Sequence, residues 1–234
     1  MALILVGCKT TEKTAEITEY LDSLVITPSI PLEINILKGE SFNHPMFVIW
    51  EESPDGTYQR TLFITQSYAS GIYNYQMIGD SIWKNESGSS YQPAALPYWT
   101  FKKGPLANQK YVPTPDHPFT DAYTGETPKG DFMFNTGLAS GSAERRILLE
   151  VNQAWDWNSY WTNNKFPDNP AYKHSAQPSL VYAVTITEND TLLHLKPIGH
   201  GDPKGESGEL LKDISTLTTA KEIFRSVTLE LKQK

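Results

Sequence analysis

Two β-prone runs joined by a Pro-Asp-Gly turn constrain this chain more than any other stretch of it. Met46-Phe47-Val48-Ile49-Trp50-Glu51-Glu52 is followed by Ser53-Pro54-Asp55-Gly56 and then by Thr57 through Thr65. Aromatic and β-branched side chains suit a pleated, half-buried surface, and Gly56 can take the positive φ that a tight reversal needs. The pattern predicts an antiparallel hairpin. Leu32 to Lys38 alternates, with Leu32, Ile34 and Ile36 on one face and Gly39 at its end. Arg146 to Asn152 reads as a strand, Ser179–Thr187 and Thr191–Lys196 as a second hairpin through Glu188-Asn189-Asp190, and Ser226 to Leu231 as a last strand. Residues 66–145, rich in Gly, Pro, Tyr and Asn, read as long surface connections interrupted by short strands. Ser215 to Phe224 predicts a short helix capped by Ser215 or Thr216.

The 234 residues are 39% hydrophobic and 12% aromatic, enough to build a core and too apolar for a disordered chain. Helical periodicity is scarce and no βα alternation repeats. The predicted fold class is therefore all-β: an immunoglobulin-like β-sandwich with long loops and a short C-terminal helix, as one domain over residues 31–234. A net charge of -7 with scattered Lys and Arg argues against a nucleic-acid partner. No run of 18 apolar residues is present to span a bilayer. The single cysteine, Cys8, excludes an internal disulfide, a thiolate zinc site and an iron–sulfur cluster. The glycine-rich string Gly201 to Gly208 lacks the Gly-Lys-Ser/Thr ending of a phosphate loop, and no cofactor is expected.

Three constellations carry chemistry. Trp155-Asp156-Trp157-Asn158-Ser159-Tyr160-Trp161 interleaves aromatic rings with hydrogen-bonding side chains, and Asn163 and Asn164 follow. Flat apolar faces beside amides and carboxylates suit sugar rings or peptides, so Trp155, Trp157 and Trp161 are the predicted ligand-binding residues. On a regular strand all three would share one face. Ile198-Gly199-His200-Gly201-Asp202 is the sharpest candidate loop for a metal, with His194 upstream and His117 or Asp121 as a further ligand. His200, Asp202 and His117 form the predicted metal set. Asp121 to Gly125 has the residues of a tight turn, with Gly125 free to take positive φ. Neither Gly-x-Ser-x-Gly nor His-Glu-x-x-His occurs, which argues against a hydrolase of those types.

Leu5-Val6-Gly7-Cys8, after a short apolar start, resembles a bacterial lipobox. The resemblance implies acylation of Cys8, a signal remnant over residues 1–8, a polar tether over residues 9–30 with a short helix at roughly Ala15 to Leu21, and a location in the periplasm or at the cell surface. It also explains a lone cysteine in an exported protein. Val48-Ile49-Trp50-Glu51-Glu52 with Asp55-Gly56 and Arg60-Thr61-Leu62, Leu96-Pro97-Tyr98-Trp99, Asp121 to Pro128, and Leu148 to Asn152 together resemble the domain of unknown function 2271 family of periplasmic bacterial proteins, over roughly residues 32–187. Gly199-His200-Gly201 through Ala220 looks like an extension seen in lipoproteins of Bacteroides-type bacteria. The resemblance implies location and fold and assigns no catalytic residues. The expectation is an outer-membrane lipoprotein, non-catalytic, acting as a binding or accessory module for a glycan or protein partner. Its rival is a metal-dependent protein or hydrolase built on the His200 loop.

Overall fold

The computed structural model describes residues 18–21, 29–74, 76–77, 83–105, 110–139, 144–187 and 189–232. The expected hairpin is present. Strands β1 (Thr18–Leu21), β2 (Ser29–Lys38), β3 (Met46–Glu52) and β4 (Tyr58–Thr65) open the chain, and β3 pairs antiparallel with β4. The turn residue Gly56 sits at φ 84°, and Asp55 accepts hydrogen bonds from Ser53 Oγ (2.5 Å) and the Thr57 amide (3.1 Å). Next come β5 (Tyr123–Gly125), β6 (Phe132–Ala139) and β7 (Glu144–Asn152). The last four are β8 (Leu180–Thr187), β9 (Leu192–His194), β10 (Lys196–His200) and β11 (Phe224–Leu231).

They form two facing sheets, in the orders β1-β6-β2-β11-β9 and β10-β8-β7-β3-β4-β5. Pairing is antiparallel except for β1 with β6 and β4 with β5. The all-β sandwich is as expected from the sequence. Its core alternates inward from both sheets: Leu32, Ile34 and Ile36 of β2 and Phe132 and Phe134 of β6 meet Phe47, Ile49, Phe63, Ile147 and Leu149. The Phe47 ring lies 5.2 Å from Phe132 and 5.1 Å from Phe63, so aromatic faces join the layers.

The six-stranded sheet is buried on its other side as well, which accounts for the unbroken apolar run of β3. Met46, Val48, Trp50, Ile64, Leu148 and Val181 pack there under Tyr68 of helix α1 (Gln66–Ser70) and Trp99 of helix α2 (Pro97–Lys102). Ala94, Ala95, Leu96 and Trp99 are fully buried. The expected short strands are present at Ile72–Tyr73, Gln76–Met77, Trp83–Lys84, Gly88–Ser89 and β5, but the described residues of this stretch also supply a buried covering layer and a full strand, β6, where surface connections were expected.

Three further expectations are corrected. Ser179–Thr187 and Thr191–Lys196 do not pair: Leu192–His194 joins β11 in the opposite sheet, and only Lys196–His200 returns to pair with β8. Leu195 N donates to Val227 O and Leu231 N to Thr191 O, so the crossing segment finds its partners in β11. The helix expected over Ser215–Phe224 shrinks to a 3-10 turn at Thr219–Glu222, preceded by Thr218 without a side-chain cap. The helix expected near Ala15–Leu21 is replaced at Thr18–Leu21 by strand β1, and β2 begins at Ser29, so the sheet draws on residues assigned to the tether. Cys8 and the remaining signal residues lie outside the described residues. Among the described residues, no helix is long and apolar enough to cross a membrane.

Candidate functional site

Where β7 ends and β3, β8 and the third helix meet, the backbone carries unusual conformations. Non-glycine residues with positive φ among the described ones are His44 (50°), just before β3, Trp155 (63°), just after β7, and Ala176 (62°), just before β8. Because β3 and β8 run antiparallel to β7, all three fall at one end of the six-stranded sheet. Positive φ crowds a side chain's Cβ, and Ala176, at ψ -110°, lies outside even the left-handed helical region, so each is held by its surroundings. The amide of Trp155 donates to His174 O (3.0 Å), its ring meets the His174 ring edge-on at 5.2 Å, and Ala176 N donates to Tyr172 O (2.8 Å). Helix α3 (Pro170–Ser175) is started by Asn169, whose Oδ1 accepts from Tyr172 N at 2.8 Å, with Pro170 at its first position.

A polar network ties these loops together. Gln177 Oε1 accepts from Asn158 Nδ2 (3.0 Å) and Thr218 N (2.8 Å), while its Nε2 donates to Thr219 Oγ1 (2.5 Å). Thr219 Oγ1 in turn donates to Asp156 Oδ1 at 2.5 Å. Asn158 Oδ1 accepts the amides of Tyr160 and Trp161 (2.9 and 2.7 Å) and folds the loop back on itself. Satisfaction is incomplete. Asn152 Oδ1, Ser175 Oγ and Asp156 Oδ2 are buried without hydrogen-bond partners, and among the described residues only Gln92 Oε1, elsewhere, joins them. Burial pushes the Asp156 carboxyl up, opposed by the bonds from Thr219 and Gln177, and it lowers the pKa of the His174 imidazole.

The aromatic residues predicted to bind ligand are distributed differently from a strand face. Trp155 is exposed, Trp157 half-buried and Trp161 buried, and residues 155–161 form turns. Trp161 donates Nε1–H to Thr216 Oγ1 (3.2 Å) and packs between Tyr160 and Tyr172. The three Trp residues therefore make no common flat platform, because left-handed Trp155 breaks the alternation. The outward rings are Trp155 and Tyr160, and Lys165 Nζ stands 3.3 Å from the Tyr160 centroid.

His117, His200 and Asp202 are not brought together, and no group of three or more potential metal ligands occurs among the described residues. His200 is 5% exposed, with Nδ1 2.8 Å from Gly201 O. Asp202 turns its carboxylate to the amides of Lys204, Glu206 and Ser207 (3.0, 2.9 and 2.8 Å) and closes its own loop. His117 is exposed beside Thr114 in a separate turn, and His194 lies on β9 of the other sheet. The Asp121 turn is corrected too: Tyr123–Gly125 is strand β5, parallel to β4, and Gly125 keeps negative φ.

Sequence reasoning passed over Glu150. It is fully buried on β7 with no salt-bridge partner among the described residues, and accepts from Tyr98 N (3.1 Å), Trp99 N (2.7 Å) and Ser179 Oγ (2.5 Å), which fastens the start of α2 to the sheet. Burial pushes its carboxyl up to about 7 against those three donors. Gly201 covers it: a Cβ there would come within 2.6 Å of Pro97 Cγ and Ser179 Oγ. An isolated Glu inside an apolar run, Leu148-Leu149-Glu150-Val151, was the available signal. Gln177 and Ser175 left only the Asn169-Pro170 helix start as a hint. No protein-family model, curated protein or solved structure matches the chain.

Proposed function

We propose that this chain is a non-catalytic binding or accessory module, held by a lipid on Cys8 in the periplasm or at the cell surface, with its ligand site at the strained end of the six-stranded sheet. The observation that carries the reading is the coincidence of three non-glycine residues at positive φ, His44, Trp155 and Ala176, with three buried unpartnered polar atoms, on Asn152, Asp156 and Ser175. Loops held in unfavourable conformations over a rigid sheet are where proteins place recognition. Exposed Trp155 and Tyr160, with Asn163 and Asn164 beside them, favour a glycan as the ligand class. The anchor rests on Leu5-Val6-Gly7-Cys8 and on the absence of any other cysteine.

A glycan-array screen of the chain from residue 9 onward tests the site. The reading requires a reproducible hit that Trp155→Ala loses while the melting temperature stays within about 2 °C, since an exposed side chain away from the core contributes little to stability. A blank array, or a hit unchanged by Trp155→Ala, contradicts it. Cys8→Ala in the native host is expected to abolish palmitate labelling and to move the protein to the soluble fraction.

A further inference from the structure

On the outer side of the six-stranded sheet, toward the opposite end of β4, three rings turn to one point. Lys103 Nζ stands there, 5.7 Å from the Tyr58 centroid, 5.7 Å from Tyr111 and 5.5 Å from Phe119. The rings are fixed from behind. Trp99 meets Phe119 edge-on at 5.3 Å and Tyr111 at 6.2 Å, and Thr61 Oγ1 bonds both Trp99 Nε1 and the Tyr58 hydroxyl at 2.9 Å. A cation within about 6 Å of a ring centroid is attracted by the ring's negative face, and here three faces act on one charge.

The lysine fits this place poorly. Among the described residues its ammonium has neither a carboxylate at salt-bridge distance nor a hydrogen-bond acceptor, whereas neighbouring Lys102 reaches Gly56 O (2.8 Å) and Glu52 (3.7 Å). Three N–H donors gain nothing from π faces beyond charge, and a cation without N–H groups loses nothing by replacing them. Size points the same way. Lys165 approaches the Tyr160 centroid to 3.3 Å, so the wider spacing at Lys103 leaves room for a shell of methyl groups around the nitrogen. Asp121 adds a negative field at the rim: the Tyr58 and Tyr111 hydroxyls are both pushed up, by burial first and then by the Asp121 charge. Lys103 is half-buried and caps the C-terminal end of α2, outside its last helical turn.

We propose that Tyr58, Tyr111 and Phe119 form a binding site for a trimethylammonium group, occupied by Lys103 as an internal gate until such a ligand displaces it. The site is separate from the strained end and does not depend on the glycan reading. Calorimetric titration of choline chloride into the full chain tests it. Lys103→Ala is expected to bind choline saturably and about tenfold more tightly than the wild type, and adding Tyr111→Ala or Tyr58→Ala to it is expected to remove at least tenfold of that affinity. Ammonium chloride is expected to give no saturable heat. Lys103→Met, which keeps the apolar stem, serves if Lys103→Ala does not fold. Absence of saturable choline binding in a folded Lys103 variant overturns the proposal. So do equal affinity with and without the tyrosines, and loss of folding in both Lys103 variants, because a gate must be able to leave.

Discussion

At the end of the six-stranded sheet where β3 turns into β4, buried charges have partners and the left-handed position belongs to glycine. Glu51 is paired with Arg60 (3.0 Å) and Arg145 (2.9 Å), whose guanidinium groups also donate to the carbonyls of Gly137 and Ala139 in the opposite sheet. Glu52 accepts from Arg146 and from Trp50 Nε1, both at 3.0 Å. Gly56 takes φ 84° without a side chain. At the other end, His44, Trp155 and Ala176 hold positive φ with side chains attached, and Asn152, Asp156 and Ser175 bury polar atoms unpaired. Each such atom opposes folding by about 1–3 kcal/mol, and each left-handed residue by about 1–2 kcal/mol. The first end is built for stability. The second retains features that work against stability, held in place by Gln177, Asn158 and the core side of Trp161, and the proposed recognition role rests on that contrast.

The contrast breaks most visibly at its anchors. Arg145→Ala leaves Glu51 buried with one partner and is expected to lower unfolding free energy by about 3 kcal/mol in urea titration. A loss under 1 kcal/mol would mean the closed end does not rely on its ion pairs. At the strained end, Trp161→Ala is expected to remove about 3–5 kcal/mol, and Trp155→Ala no more than about 0.5 kcal/mol. Equal effects would erase the division between buried and presented rings.

Between the two ends, Glu150 gives a pH signature. Its folded pKa, about 7, lies above the ordinary 4.5, so the native state holds the extra proton between those values. The contribution is complete below about pH 4.5 and is lost as pH rises through about 7. From pH 5 to pH 8 it amounts to at most about 3 kcal/mol. Glu33, Asp55 and Asp213, held below their ordinary range by hydrogen bonds, lose stability only at more acid pH. His174, whose pKa burial lowers, acts in the opposite sense, its contribution being lost on acidification. The difference between wild type and Glu150→Gln isolates Glu150: the wild type is expected to gain stability on acidification to pH 5 relative to the variant.

Much of the sandwich was legible because its signals are local. The β3–β4 hairpin follows from Pro54-Asp55-Gly56, and the core face of β2 from the alternation of Leu32, Ile34 and Ile36. Strand β6 carried a comparable alternation, Phe132, Phe134, Thr136, Leu138, but apolar Met133 on the outer face and polar Thr136 on the inner one obscured it. Leu192–His194 could not be placed from sequence, since a strand after a short turn pairs with its neighbour or crosses to the other sheet according to remote partners, here Thr228–Glu230. The candidate site was legible only as an aromatic cluster. Its organising residues, Gln177, Ser175 and Thr219, are ordinary polar side chains whose meeting depends on the tertiary fold. Trp155 defeated the strand reading by taking a backbone conformation that bulky residues rarely adopt.

The smallest effects test the central contrast most directly. Gly56 has room for a side chain, its nearest neighbours being Arg146 Nη1 and Lys102 Nζ at 3.6 Å, so Gly56→Ala changes the backbone term alone. His44 is exposed, so His44→Gly relieves its left-handed strain without removing core. Paired urea unfolding of the two variants is expected to give opposite signs: Gly56→Ala less stable by about 1 kcal/mol, His44→Gly more stable by about 0.5 kcal/mol after the entropy that glycine adds to the unfolded chain. Loss of stability in both variants, or a gain in Gly56→Ala, would contradict a closed end opposed to a strained one.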